Sequence, residues 1–123
     1  MIEYFDVESI EEIHNDILKI SQGLKGFKDK QEISKVCDFV QNDLYYPTFV
    51  EKLAYIIFSI SKNHFFNDGN KRTALACGTY FLLLNGYKEK IDLYVTEMET
   101  HVVDLVEGKI SRKELIEILK RYI

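Results

Sequence analysis

Between two apolar stretches lies His64-Phe65-Phe66-Asn67-Asp68-Gly69-Asn70-Lys71-Arg72, a run that joins an imidazole, a carboxylate, a glycine and two adjacent cations. The apolar stretch after it reads as a helix beginning near Asn70 or Lys71. A helix start presents unpaired backbone N–H groups and the positive end of the helix dipole, and together these attract anions. Cations there are unfavourable for the helix itself, so Lys71 and Arg72 side by side imply an anion that offsets the conflict, with phosphate the obvious choice. Gly69 lets the backbone approach such a ligand closely. Asp68 supplies the kind of oxygen that a magnesium ion takes beside phosphates. His64, just upstream, is placed to take a proton from an attacking hydroxyl while its ring is neutral. Asn70 is expected to donate to a phosphate oxygen or fix the loop, and one of Phe65 and Phe66 to plug into the core and hold its shape.

Each of these features has an ordinary explanation when taken singly. A histidine at a helix end often faces solvent or caps, Asp-Gly commonly makes a turn, and Lys-Arg is usually a solvated pair. Their combination in one short segment is what points to a phosphate-handling site. A nucleotide P-loop is excluded, because Gly69-Asn70-Lys71-Arg72-Thr73 lacks both the earlier glycine and the preceding strand. His14 and His101 have no metal-ligand spacing with each other or with His64, so a zinc site is not expected.

The elements that must position this segment read as helices almost throughout. Ser9-Ile10-Glu11-Glu12 reads as a capping box, followed by Ile10, Ile13, Ile17 and Ile20 on one face. Gly23 and Gly26 break that pattern, and a loop is expected near residues 22–29, carrying Lys25, Lys28 and Lys30. A second helix runs over about 31–41 with Ile33, Val36, Cys37 and Val40 on one face, and Leu44-Tyr45-Tyr46 after it is a candidate short extended piece. The cluster Tyr45-Tyr46-Pro47 with Phe49 reads as packing at a helix start. Thr48-Phe49-Val50-Glu51 opens a long apolar helix to about Lys62. The helix over 71–84 is apolar on most sides and is expected to be central, with Asn85-Gly86 ending it. Residues 87–94 suggest a short strand or turn, residues 96–107 a further helix ending at Gly108, and Ser111-Arg112-Lys113-Glu114 a capping box for the last. The expected fold is all-α, a single compact domain over 1–123.

Composition agrees with this and narrows the function. Hydrophobic residues form 46% of the 123, enough for a core without metal or disulfide. A net charge of -4, with both signs interspersed, argues against a direct grip on nucleic acid. The two cysteines, Cys37 and Cys77, lie far apart in apolar contexts and read as reduced core residues. Neither a secretory leader nor a run of membrane-spanning length is visible, so a cytoplasmic protein is expected.

The run from His64 to Ala74 resembles the signature of the Fic/Doc superfamily, whose pattern is His-x-Phe-x-Asp/Glu-Gly-Asn-Gly/Lys-Arg, and is closest to its death-on-curing (Doc) toxin branch. Residues 10–27 resemble the family's first helix and glycine-containing loop, and Ala74 to Tyr87 its central helix; the likeness implies a helical core of about six helices. It also implies roles. His64 would be the catalytic base, Phe66 the anchor of the loop, Asp68 the magnesium ligand, Gly69 and Asn70 the lining of the anion site, and Lys71 and Arg72 the catalytic and cofactor-binding contacts to the phosphates of ATP. The loop near residues 23–30 would border the site as the family's flap does.

Family members transfer AMP or phosphate from ATP to a protein hydroxyl, and the Doc branch is the toxin of a toxin–antitoxin pair that phosphorylates elongation factor Tu. Two departures favour phosphate transfer: Lys71 stands where AMP transferases have Gly, and Leu75 where they have a second Arg. One favours AMP transfer, since Gly69 stands where the phage-type Doc loop resembles Ala. Self-restraining members carry Ser/Thr-x-x-x-Glu followed by Gly or Asn; the Glu-Gly here is Glu107-Gly108, and Val103 occupies the Ser/Thr position. An antitoxin acting in trans is therefore expected as partner. The competing readings are an adenylyltransferase, a catalytically silent module that kept the fold, and a co-repressor working through a DNA-binding antitoxin.

Overall fold

Among the described residues the helical periods of the sequence become six α-helices: α1 (Val7–Ser21), α2 (Lys30–Phe39), α3 (Phe49–Lys62), α4 (Asn70–Leu84), α5 (Ile91–Val106) and α6 (Arg112–Leu119), closed by a 3-10 turn over Lys120–Tyr122. The computed structural model describes residues 1–21, 30–63 and 65–123. The expected loop and flap over residues 22–29, and His64, lie outside the described residues. None of the helices is long and apolar enough to cross a membrane, among the described residues.

Helix starts follow from local side-chain chemistry. Thr48 caps α3, its hydroxyl accepting from the Glu51 N–H at 3.3 Å and donating to the Glu51 carboxylate at 2.9 Å. Ser111 and Glu114 form the expected reciprocal box at α6, with bonds of 3.1 and 3.0 Å. The box expected at Ser9 is displaced. The Asp6 carboxylate caps α1 instead, accepting from both the N–H (2.9 Å) and the hydroxyl (2.8 Å) of Ser9. A carboxylate satisfies two donors and adds favourable charge at a helix start, so it outcompetes the hydroxyl. Those bonds from Ser9 hold the Asp6 carboxyl below its ordinary value.

α3 and α4 share the centre. α3 packs against α2, α4, α5 and α6, and buries Leu53, Ala54, Ile56, Ile57 and Ile60. α4 packs against α1, α3 and α5 but leaves Tyr80 and Leu83 on the surface, so it is less enclosed than its apolarity suggests. Gly78 sets the approach of α5 to α4. A methyl group there would collide with the Tyr94 hydroxyl, which donates to the Leu75 carbonyl at 3.2 Å.

Three expectations about elements are corrected. α5 begins at Ile91 rather than near 96, because its buried stripe of Tyr94, Met98, Val102 and Leu105 runs back through the region read as a strand or turn. Leu44 to Tyr46 is a turn, held by the Asn42 carboxamide oxygen accepting from the Leu44 and Tyr45 N–H groups at 2.9 and 3.2 Å. The buried line of α1 is Ile10, His14 and Leu18, while Ile13 and Ile17 are half-buried and Ile20 is 88% exposed. Of the aromatic cluster, Tyr46 stacks on Tyr55 and Phe49 on Phe81, whereas Tyr45 is exposed.

The segment before α1 folds over the far end of α4. The Asn85 side chain accepts from the Glu3 N–H (2.8 Å) and donates to the Glu3 carbonyl (3.0 Å), and the rings of Tyr4 and Phe5 pack on Phe81. Both cysteines are free thiols; burial pushes Cys37 up to about 12 and Cys77 higher still, which keeps both protonated.

Candidate active site

The loop joining α3 to α4 is anchored from below by rings. Phe65 and Phe66 are both buried, where one was expected to be, and the imidazole of His14 stacks on Phe66 at 3.8 Å with 12° between the planes. Asn70, the first residue of α4, grips the backbone of Phe66: its Oδ1 accepts from the Phe66 N–H (3.0 Å) and its Nδ2 donates to the Phe66 carbonyl (3.1 Å). Of the two roles expected for Asn70, fixing the loop is therefore the one seen. Gly69 turns the chain into α4 at φ 74°, a left-handed conformation that favours glycine. Space is not the reason, since a Cβ there would meet Leu18 and His14 at ordinary contact distances of 3.6 and 3.8 Å. Asp68 sits between two fixed points. Its carbonyl accepts from His14 Nε2 at 2.7 Å, and its own Oδ1 accepts from the Gly69 N–H at 2.9 Å.

Above this loop opens a cavity of about 960 Å³, within the range of small-molecule sites. Asp68, Gly69, Asn70, Lys71 and Arg72 all line it. Lys71 and Arg72 are exposed and form no ion pair with any described residue. Two unpaired cations at a helix start, with the dipole behind them, make this wall attractive to a polyanion. Farther along α4 the wall turns apolar at Leu75 and Ala76, and α5 faces it with Val95, Glu99 and Val103.

Among the described residues no three of His, Cys, Asp and Glu gather. Asp68 is nevertheless exposed on the cavity wall beside the cations. That donor set suits magnesium, which binds through one or two carboxylates together with substrate phosphates and water.

His64, the expected base, lies outside the described residues. The other expected site residues, Asp68 to Arg72, are brought together. Two residues had no part in the expected site. The sequence signal of His14 is its place four residues from both Ile10 and Leu18 on the buried line, not any metal-ligand spacing. Glu99 enters from α5, and nothing local to it points toward the loop.

Residues 4–82 match the model of the Fic/DOC family. The chain belongs to the Fic/DOC family. The matched span includes α1, with His14, and residues 63–72. The wall supplied by α5 falls beyond it. Over 54 residues the chain is 41% identical to Toxin Doc of Mycolicibacterium smegmatis, a match covering 44% of this chain and 42% of that protein. The shared part is thus less than half of either. In this Fic/DOC domain Asp68, Gly69, Asn70, Lys71 and Arg72 line one cavity, and Leu75 lies on the wall of that same cavity.

Proposed function

We propose that this Fic/DOC protein is the toxin of a toxin–antitoxin pair and transfers the terminal phosphoryl group of ATP to a hydroxyl of a protein target, with elongation factor Tu the expected one. The observation that carries this is the cavity wall on which Asp68, Gly69, Lys71 and Arg72 converge at the start of α4 and Leu75 follows one turn later.

The residues divide the work as follows. Lys71 and Arg72 hold the phosphates, and the start of α4 adds its dipole. Asp68 would hold the magnesium ion, which neutralises charge on the phosphate oxygens. His64 takes the proton from the target hydroxyl, whose oxygen attacks the γ-phosphorus; the bond from that phosphorus to the bridging oxygen breaks, and ADP leaves. Phe66 and Asn70 keep the loop in the shape this needs. The apolar wall at Leu75 supports phosphoryl over adenylyl transfer, because an AMP transferase must anchor its outlying phosphates there and a leucine cannot. An antitoxin acting in trans is part of the reading, since Val103 stands on the cavity wall where a self-inhibiting member carries Ser or Thr. The setting for all of this is the cytoplasm.

Gly69 favours the second reading, adenylyl transfer. ATP labelled at either the α or the γ phosphate, incubated with the protein and purified elongation factor Tu, separates the two. Label on the target from the γ position is expected, and its loss in His64→Ala. Label from the α position would make the protein an adenylyltransferase. No label from either, in a folded protein that also fails to arrest growth when expressed alone, would reduce it to a binding module.

A further inference from the structure

Beneath the anion loop lies an imidazole that the transfer chemistry does not use. His14 is 1% exposed, stacked on Phe66, with Nε2 2.7 Å from the Asp68 carbonyl oxygen. A carbonyl oxygen only accepts, so Nε2 must carry the proton of that bond. The consequence passes through the peptide plane. In a trans peptide the C=O and the next N–H point in opposite directions, and the chain has no cis bond among its described residues. Drawing the Asp68 carbonyl down toward α1 therefore turns the Gly69 N–H away from α1, where it meets Asp68 Oδ1 at 2.9 Å. One bond from α1 thus orients a backbone donor, and the carboxylate that this donor holds, on a loop 54 residues away.

We propose that His14 is a positioning residue of the active site: its Nε2–H fixes the Asp68–Gly69 peptide so that the Gly69 N–H holds the Asp68 carboxylate in place on the cavity wall. The proposal builds on the transfer reading for its effect on rate, while its geometry stands apart from it. The imidazole suits two tasks that no single substitute shares. Its ring fills the face of Phe66, and its edge donates to Asp68. His14→Phe keeps the ring and loses the donor. His14→Gln keeps an N–H donor of similar reach and loses the ring.

Three measurements on the full chain test this. In wild type, long-range proton–nitrogen spectra should show His14 Nε2 as the protonated nitrogen. The Gly69 amide resonance should move in His14→Phe and stay near its wild-type position in His14→Gln. Phosphoryl transfer should fall on the order of 100-fold in His14→Phe, as misplacement of a site by about 1 Å does, and recover to within about 5-fold of wild type in His14→Gln. A bare Nε2 in wild type, or a Gly69 amide that ignores the loss of the donor in a folded His14→Phe, overturns the proposal. Equal losses of activity in the two variants also overturn it, since they would mark His14 as packing alone. Should His14→Phe not fold, the wild-type ring signal and the Gln variant still decide. A wild type without transferase activity removes the transfer reading instead, and the two spectroscopic results then decide the positioning claim by themselves.

Discussion

Both ends of α4 are held by an asparagine that grips one residue's backbone with the two ends of its amide. At the start Asn70 takes the N–H and C=O of Phe66, at 3.0 and 3.1 Å. At the finish Asn85 takes those of Glu3, at 2.8 and 3.0 Å. What surrounds the two clamps differs. Around Asn85 the rings of Phe81, Phe49, Tyr87, Tyr4 and Phe5 close over one another, and the joint ends in apolar contact. Around Asn70 the rings of Phe65, Phe66 and His14 are buried, and Asp68, Lys71 and Arg72 remain exposed on the cavity side. The same device makes a joint at one end and a site at the other. Function is marked by which polar groups stay unsatisfied toward an open cavity, and the clamp itself does not announce it.

Breaking the clamps should separate the ends most. Asn70→Ala is expected to lower phosphoryl transfer by on the order of 100-fold through misplacement of the loop, with the chain still folded. Asn85→Ala should leave transfer within a few fold and lower unfolding stability by about 1–3 kcal/mol, the result of leaving backbone groups without partners. Labelled-ATP assays alongside urea titrations read both, and matching profiles for the two variants would erase the distinction. Midway along α4, Gly78→Ala should cost about 1–3 kcal/mol in urea unfolding, because the new methyl overlaps the Tyr94 hydroxyl. Adding Tyr94→Phe removes that oxygen and should recover part of the loss; no recovery would place the clash elsewhere. At the site end, Gly69→Ala should cost about 1–2 kcal/mol for its left-handed backbone, since the methyl itself has room. The smallest effect should be a gain. Thr73 Oγ1 is buried with no hydrogen-bond partner among the described residues, so the nearly isosteric Thr73→Val is expected to raise stability by about 1 kcal/mol. A loss on that substitution would show the hydroxyl to be satisfied in solution.

The same comparison explains what the sequence disclosed. The loop from Asn67 to Arg72 could be read because its chemistry is contiguous: helix start, glycine and cations are neighbours in the chain, and the structure sets them on one wall. α3 and α6 were legible for a similar reason, since capping residues and apolar period agree within each, and α4 through an apolar run closed by Asn85-Gly86. Contributions from other elements were not legible. His14 belongs to the site through a bond to a residue 54 positions away, and an isoleucine-rich helix advertises its isoleucines instead. The facing wall of Val95, Glu99 and Val103 depends on how closely α5 approaches α4, which Gly78 decides. The early start of α5 was hidden by exposed Leu93 and Val95, which blur the helical period. At α1 the sequence pointed to Ser9 as the cap, and the Asp6 carboxylate, a stronger acceptor three residues earlier, takes that place.

The two anchors of the first helical segment also set an order of events. α1 and the residues before it are tied to the ends of α4 across 54 and 82 positions, at Asp68 and Asn85. α3 and α4 meet across the short loop between them. Closing a long loop loses more chain entropy before any contact compensates, so the α3–α4 pair is expected to assemble early and α1 to dock late. The ranking reversed makes α1 the first part to detach, and its amides should exchange with solvent before those of α3. On the ribosome the delay is built into the direction of synthesis, because residues 1–21 emerge long before either of their anchors has been made. Until Asp68 has left the exit tunnel, His14 is already made but has no peptide to pin.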